Sequence, residues 1–133
     1  YADIPAQDKR ELKKVLTGLG LLIEVKKESD LDAITLISGC GPGIVSLFVS
    51  VYAKQARALG LSHDAEAVAL QTFKGALAYL ERSGTSAERL MKSVATKGGV
   101  TEAILRELQR GGVEKIVGRA LRDGYKKIKR IGK

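Results

Sequence analysis

Cysteine, histidine and proline are scarce in this sequence, and their scarcity excludes several kinds of protein. One cysteine among 133 residues rules out an internal disulfide framework. With a single histidine as well, the chain offers few of the ligands from which proteins build zinc sites. We therefore expect no metal centre, and a reducing cytoplasm is the simplest setting.

Long hydrophobic runs are also missing. No segment holds about 18 consecutive apolar residues, the length that a membrane-spanning helix needs. No basic-then-apolar signal segment stands at the start, where the first residue is Tyr1. A hydrophobic fraction of 44% with 29% charged residues is ordinary for one soluble globular domain. We expect no membrane association.

Basic residues outnumber acidic ones, which gives the chain a formal net charge of +8. Such an excess raises nucleic acid or another polyanion as a partner. The cations gather in the last helical pattern, whose single aromatic residue is Tyr125 and which contains no known groove-reading motif. A solvated face is therefore favoured over a nucleic-acid surface. The apolar stripe of this helix is Val113, Val117, Leu121, Tyr125 and Ile128, and the cations around it are Arg119, Arg122, Lys126, Lys127, Lys129 and Arg130.

Apolar residues recur every three to four positions over long segments, which predicts a mostly helical chain. The first helical pattern spans residues 6–19, and residues 21–25, Leu-Leu-Ile-Glu-Val, are typical of one short strand. A lone strand has nothing to pair with. We therefore expect residues 1–25 to be the tail of a domain whose other strands are absent, within a longer protein. Residues 26–30 read as a charged linker.

The stretch Gly39-Cys40-Gly41-Pro42-Gly43 predicts a glycine-rich turn, with a helix that begins at Pro42. A phosphate-binding loop is the alternative, but the third glycine of the dinucleotide fingerprint is missing and no convincing strand precedes. Cys40 is interpreted as a small buried filler rather than a reactive thiol. The helix that follows is apolar on nearly every side, so it is either central to its own domain or buried against a partner.

Further helix boundaries follow from glycines and hydroxyl side chains. Gly60 is expected to end the apolar helix in a left-handed conformation. Ser62 is expected to cap the next helix, which stops at Gly84. Thr85 and Glu88 have the spacing of a capping box for a shorter helix.

The second glycine-rich segment reads Thr96-Lys97-Gly98-Gly99-Val100-Thr101. Two glycines and flanking hydroxyls at a helix start present free backbone N–H groups and the positive end of a helix dipole, which suits a carboxylate. A plain interhelical turn, with Thr101 as the helix cap, is an equally weighted alternative.

Taken in order, these segments resemble the C-terminal part of pyrroline-5-carboxylate reductase, the enzyme that makes proline. The stretch ITLISGCGPG is similar to the family's Ser-Gly-Ser-Gly-Pro signature, with the threonine and leucine before it, and LGLSHDAEAVALQTFKGALAYLERSG resembles its next helix and turn. The stretch SVATKGGVTEAILRELQRGGVEKIVGRALRDGYKKIKRIGK resembles its Ser-Pro-Gly-Gly-Thr-Thr loop and last two helices. The likeness covers residues 20–133.

The resemblance implies a mainly α fold. Residues 28–133 would form a helical dimerisation domain of the 6-phosphogluconate dehydrogenase C-terminal-like type. Residues 1–27 would be the tail of a Rossmann domain, with its last helix and strand. Two subunits would interlock as a homodimer or higher homo-oligomer.

The implied reaction is hydride transfer from NAD(P)H to 1-pyrroline-5-carboxylate, which gives L-proline. NADP or NAD would bind to the parent protein, and we expect this segment alone to hold neither. The cofactor supplies the hydride, while the protein supplies position and electrostatics. The resemblance places the carboxylate of this imino-acid substrate on Thr96, Gly98, Gly99, Val100 and Thr101. It places Ser38, Gly39 and Gly41 near the cofactor.

Several positions depart from the family pattern. Lys97 replaces the loop proline, and Leu47 stands where the family can place a hydroxyl. Val100 often has a smaller or hydroxylated counterpart, and Cys40, Gly43 and Ile44 replace a serine, an alanine and a tyrosine. A paralogue with another substrate therefore stays open. So does the alternative of a stand-alone basic helical module that binds nucleic acid or an acidic protein.

Overall fold

The computed structural model describes residues 4–131, and across these residues it is helical with no strand. The chain divides into two compact units, the first ending at Leu31 and the second beginning at Asp32. The helices are α1 (Ala6–Thr17), α2 (Glu28–Ile34), a π-helical segment (Thr35–Gly39), α3 (Cys40–Ala58), α4 (Ala65–Ser83), α5 (Ala87–Val94), α6 (Val100–Arg110) and α7 (Val113–Ile131).

The first unit contains α1 and an irregular segment at residues 21–25, where the sequence predicted a strand. That prediction is wrong for the described chain, because a strand exists only as part of a hydrogen-bonded ladder. Lys13 of α1 forms an ion pair with Glu24. Leu19 and Leu21 are 83% and 89% exposed. Their apolar side chains are uncovered within this unit.

The predicted turn at Gly39–Gly43 is also wrong, because α2, the π-helical segment and α3 follow one another without a break. In a regular α-helix, the ring of Pro42 would strike the carbonyl of Ser38 and leave that carbonyl without a donor. Ser38 lies in the π-helical segment. The irregular turn therefore occurs where the proline requires one.

The connection from α3 to α4 begins as predicted. Gly60 has φ +99°, its N–H donates to the carbonyl of Arg57 at 3.0 Å, and the N–H of Leu61 donates to the carbonyl of Ala56 at 3.0 Å. These two bonds define a Schellman motif. The predicted cap at Ser62 is wrong, because α4 begins at Ala65.

Helix α4 packs along α3 through small and aromatic side chains. Ala53, Ala65 and Ala69 are buried, and their small side chains let the helices approach closely. The rings of Tyr52 and Phe73 meet edge to face, with centroids 5.1 Å apart, a geometry that aromatic pairs favour.

The next two helix boundaries agree with the sequence to within one residue. Helix α4 ends before Gly84, which has φ +61°, as predicted. The cap of α5 is Ser86 rather than Thr85, since the Ser86 hydroxyl accepts the N–H of Arg89 at 3.3 Å. The capping-box prediction was therefore one residue early.

Helix α7 contacts both α6 and the π-helical segment. A Cβ atom built on Gly124 would lie 2.9 Å from Cδ1 of Leu36, so the absent side chain permits this approach. Lys129 forms an ion pair with Asp32, and its ammonium lies 5.5 Å from the centroid of the Tyr125 ring. The hydrogen bond to Asp32 raises the pKa of Lys129 above its usual value. The predicted apolar stripe of α7 is half-buried and the surrounding cations are exposed.

The chain buries little of its own apolar surface. Among the described residues, the buried hydrophobic side chains are Leu36, Ala53, Ala65 and Ala69. The accessible surface is 11358 Å². A folded monomer of this mass exposes about 6,800 Å², so the excess is about 4,500 Å². The single chain leaves exposed a surface that a stable fold must cover.

The continuous helix Glu28–Ala58 is the most apolar part of the described chain. It contains an 18-residue window of mean hydropathy 1.8, of which 6% is buried. By length and composition alone it could cross a membrane, although our sequence analysis expected no such segment. The core helix of a soluble protein passes the same test. The hydropathy therefore shows that this helix needs to be covered, but it does not distinguish lipid from protein as the cover.

The approach of α7 to the π-helical segment leads to a first prediction. Gly124→Leu places a large side chain against Leu36, and we expect it to lower the free energy of unfolding by about 1–3 kcal/mol relative to Gly118→Leu. Gly118 is the matched control, because a Cβ there meets only the flexible guanidinium of Arg122, at 3.3 Å. Both changes gain the same helix propensity.

The measurement is denaturant unfolding at one fixed protein concentration. Equal stability of the two variants would contradict the close packing at Gly124.

Candidate functional site

The loop between α5 and α6 contains or adjoins all five residues that the resemblance assigned to the substrate. Thr96, Gly98 and Gly99 lie in the loop, whereas Val100 and Thr101 are the first two residues of α6. One short segment therefore brings the predicted set together. Thr101 and Gly99 are half-buried, and the rest are exposed.

Both glycines of this loop are required by its geometry. Gly98 has φ +75°, in the left-handed region that favours glycine. The N–H of Gly99 donates to the carbonyl of Thr96 at 2.8 Å and closes the turn. A Cβ on Gly99 would lie 2.5 Å from the Thr96 hydroxyl oxygen and 2.9 Å from its carbonyl oxygen. A larger residue at position 99 would open the turn.

Helix α6 begins with backbone donors rather than with a side-chain cap. Gly99 is the residue before the helix, and no side chain within residues 4–131 caps it. The predicted capping role of Thr101 is therefore wrong, because Thr101 is already the second residue of the helix. At a helix start, the N–H groups of Val100 and Thr101 have no acceptor in the helix itself. With the positive end of the dipole, they suit an anion.

Glu102 is a participant that the sequence analysis missed. The N–H of Gly98 donates to its carboxylate oxygen Oε2 at 2.7 Å. The same oxygen lies 3.2 Å from the guanidinium of Arg106, one turn further along α6. The signal was present, because an acidic residue three positions after the helix cap is typical of a capping box, although here the carboxylate accepts the N–H of Gly98, one residue before the cap. The role of Glu102 was not predicted because Gly99, at the cap position, has no hydroxyl to complete a capping box.

A shallow groove of about 290 Å³ lies between α5 and α6, beside this loop. Apolar and charged side chains share its lining. They are Met91, Lys92, Ala95, Glu102, Leu105, Arg106 and Gln109. The loop and groove together can hold a small anionic molecule with an apolar portion. Within the described part of the chain, no group of three or more histidine, cysteine or acidic residues could hold a metal ion.

The residues expected near the cofactor lie on other elements. Ser38 and Gly39 belong to the π-helical segment, and Gly41 belongs to α3. The Ser38 hydroxyl donates to the carbonyl of Ile34 at 2.7 Å. Helix α7 contacts both α6 and the π-helical segment, so it connects the two sets. Cys40 is exposed, which corrects its interpretation as a buried filler.

The family of this chain follows from its sequence. The family model described as pyrroline-5-carboxylate reductase dimerisation matches residues 28–131. The chain belongs to this family. The resemblance inferred from the motifs is thereby confirmed, as is the mainly helical dimerisation fold. The match fits the reductase interpretation and does not fit the alternative of a stand-alone basic module.

Curated relatives and solved structures agree with this assignment. The chain is 40% identical over 92 residues to pyrroline-5-carboxylate reductase 2 of Bacillus subtilis, which covers 68% of this chain and 33% of that protein. It is 30% identical over 121 residues to pyrroline-5-carboxylate reductase of Pseudomonas aeruginosa, which covers 90% of this chain and 44% of that protein. The chain therefore spans less than half the length of these relatives.

Two solved structures are similar over nearly the whole chain. A pyrroline-5-carboxylate reductase from Coxiella burnetii has a TM-score of 0.88 at 26% identity and covers 96% of this chain and 47% of its own. The Plasmodium falciparum pyrroline carboxylate reductase with NADP bound has a TM-score of 0.85 at 28% identity. It covers 100% of this chain and 54% of its own. The likeness extends over both compact units.

The geometry of the loop leads to a second prediction. Gly99→Ala should lower the free energy of unfolding by about 1–3 kcal/mol, because the new methyl group meets the backbone carbonyl of Thr96. Gly75→Ala in α4 is the control, since a Cβ there meets nothing within 4 Å and alanine favours the helix by about 1 kcal/mol.

Denaturant titration followed by circular dichroism measures both changes. A Gly99→Ala variant as stable as the unsubstituted chain would show that the tight turn does not form in solution.

Proposed function

We propose that this chain is the dimerisation and substrate-carboxylate-binding part of a reductase that transfers a hydride from NAD(P)H to 1-pyrroline-5-carboxylate and forms L-proline. The observation that carries the proposal is the loop at residues 96–101. Its two glycines are required by geometry, and it ends at unpaired backbone donors in a chain of this family. Residues 1–27 are then the tail of the nucleotide-binding domain, and residues 28–133 are the dimerisation domain.

In this proposal, the loop positions the substrate through its carboxylate. The N–H groups of Val100 and Thr101 donate to the carboxylate oxygens, and the Thr101 hydroxyl adds a third donor. Thr96 and Gly98 shape the turn that aims these donors. Lys97, which is exposed beside the loop, adds positive charge where the family has proline. The cofactor supplies the hydride when it is bound.

The residues of this chain can contact NADP or NAD only in a limited way. Gly39 and Gly41 lie inside a continuous helix, where backbone N–H groups are used by the helix. They therefore fit a surface beside the nicotinamide and do not fit a pyrophosphate cradle. That this segment alone holds no cofactor remains part of the proposal. The NADP bound in the Plasmodium relative supports a nicotinamide cofactor for the parent protein.

A homodimer or higher homo-oligomer is the second part of the proposal. The excess exposed surface of about 4,500 Å² per chain is more than enough for an obligate subunit interface, which buries about 2,000–5,000 Å² summed over both partners. Helix α3 contributes exposed apolar side chains to this surface, and Val51 at its middle is 44% exposed. Coverage of the Glu28–Ala58 helix by a partner subunit, rather than by lipid, is consistent with a soluble protein, and we propose a cytoplasmic location for it.

A single charge on α3 tests the oligomer. Val51→Lys should convert the dimer into monomers or aggregates, because burying an ammonium group without an opposite charge beside it costs too much free energy. Val15→Lys in α1 is the matched control, since Val15 is 66% exposed and lies outside residues 28–133. Light scattering at micromolar concentration measures the mass. A well-folded monomer before substitution, or an unchanged dimer after Val51→Lys, would refute the proposed interface.

The Thr101 hydroxyl provides the test of substrate binding. In the intact enzyme, Thr101→Val should raise KM for 1-pyrroline-5-carboxylate by about tenfold or more, because a hydrogen bond to a charged group is lost. KM for the cofactor should not change. Thr72→Val is the control, because that hydroxyl bonds its own helix at the Val68 carbonyl, 2.8 Å away. Unchanged imine kinetics would remove Thr101 from the site.

A further inference from the structure

The loop that we assign to a substrate carboxylate already holds a carboxylate from the chain itself. Glu102 accepts the Gly98 N–H at 2.7 Å, and its side chain is 37% exposed. It projects from the first turn of α6, next to the donors of Val100 and Thr101. The loop thus presents its donors beside a resident negative charge.

We propose that Glu102 competes with the substrate carboxylate and so sets the affinity and the ligand charge that the loop accepts. This inference rests on the proposed function of the loop. A ligand carboxylate at the N–H groups of Val100 and Thr101 comes close to Glu102, the next residue of the chain, and like charges repel each other. Ligand binding is therefore weakened by this repulsion, unless the Glu102 carboxylate first breaks its hydrogen bond to the Gly98 N–H.

Arg106 provides the place to which Glu102 withdraws. Its guanidinium lies 3.2 Å from the Glu102 carboxylate, and both side chains line the groove between α5 and α6. Glu102 can release the Gly98 N–H and keep its ion pair, so the exchange costs one hydrogen bond rather than two interactions. Lys92 lines the same groove and adds a second cation on that side.

A purely structural role for Glu102 makes a different prediction. A side chain that bonds the N–H before a helix stabilises the helix start whether or not a ligand binds. Glutamine can accept the same N–H without carrying a charge. Glu102→Gln therefore separates competition from capping, because it keeps the hydrogen bond and removes the repulsion. Glu102→Ala removes both.

The test is a titration of the intact enzyme with L-proline, followed by the NMR resonances of the Gly98, Val100 and Thr101 amides. Competition predicts that Glu102→Gln binds proline about three- to tenfold more tightly than the unsubstituted chain. Capping predicts equal or weaker binding, with Glu102→Ala weakest. Glu107→Gln is the matched control, because it removes one negative charge from α6 at a residue paired with Arg110.

Two further measurements complete the test. L-Prolinamide lacks the carboxylate, so its binding should not respond to Glu102→Gln. Without ligand, hydrogen exchange of the Gly98 amide should accelerate in Glu102→Ala and stay slow in Glu102→Gln.

The outcomes separate this inference from the proposed function. Equal proline affinity in the Glu102→Gln variant and the unsubstituted chain overturns competition and leaves the carboxylate loop intact. Failure of proline to shift these amides in any variant overturns the carboxylate loop itself, and competition with it.

Discussion

The four buried hydrophobic side chains of the described residues cannot by themselves hold these helices together. A chain of this mass with 11358 Å² of accessible surface buries about 45% of its extended surface, against about two-thirds for a self-contained domain of its size. The remaining free energy of burial must therefore come from contacts beyond those that this chain makes with itself. This constraint accounts for the apolar character of α3 on nearly every side, since such a helix gains stability only when it is enclosed.

The candidate loop at residues 96–101 depends indirectly on the same constraint. Helix α6 packs on α7, and α7 packs on the π-helical segment, where the close approach of Gly124 to Leu36 fixes the spacing. The loop at residues 96–101 is thus carried by helices whose own positions depend on the continuous helix from Glu28 to Ala58. A partner that encloses this helix would hold α7 and α6 in place and limit the motion of the loop, which would lower the entropic cost of aligning its donors with a ligand.

The sequence predicted helices more reliably than it predicted their ends. Gly60 and Gly84 end their helices as expected, because a left-handed residue is a local requirement that glycine meets. The turn at Gly39–Gly43 was a wrong prediction, since glycine and proline are local helix breakers whose effect is overridden when the surrounding segment is packed as a helix. The predicted strand at residues 21–25 failed because a strand depends on partners that are distant in sequence or on another part of the protein.

The candidate site was predictable to a similar degree. The glycine loop was found from its composition, because free N–H groups at a helix start follow from backbone geometry alone. The contact between Glu102 and Gly98 was not predicted, because it depends on the conformation of one side chain. The sequence does not show which of its acidic side chains folds back onto a backbone N–H. The helix cap at Gly99 rather than Thr101 likewise depended on where the turn closes.

The π-helical segment has a consequence for the evolution of this chain. A π turn contains one residue more than the α turn that it replaces, and each residue of an α-helix rotates the chain by about 100°. Because the π turn absorbs its extra residue, loss of one residue between Thr35 and Gly39 with a return to α geometry would leave Asp32 at nearly the same rotation relative to Lys129. This segment is therefore the place where the helix from Glu28 to Ala58 can take up a change of one residue in its length, whereas the same change elsewhere in the helix would turn its two ends relative to each other by about 100°.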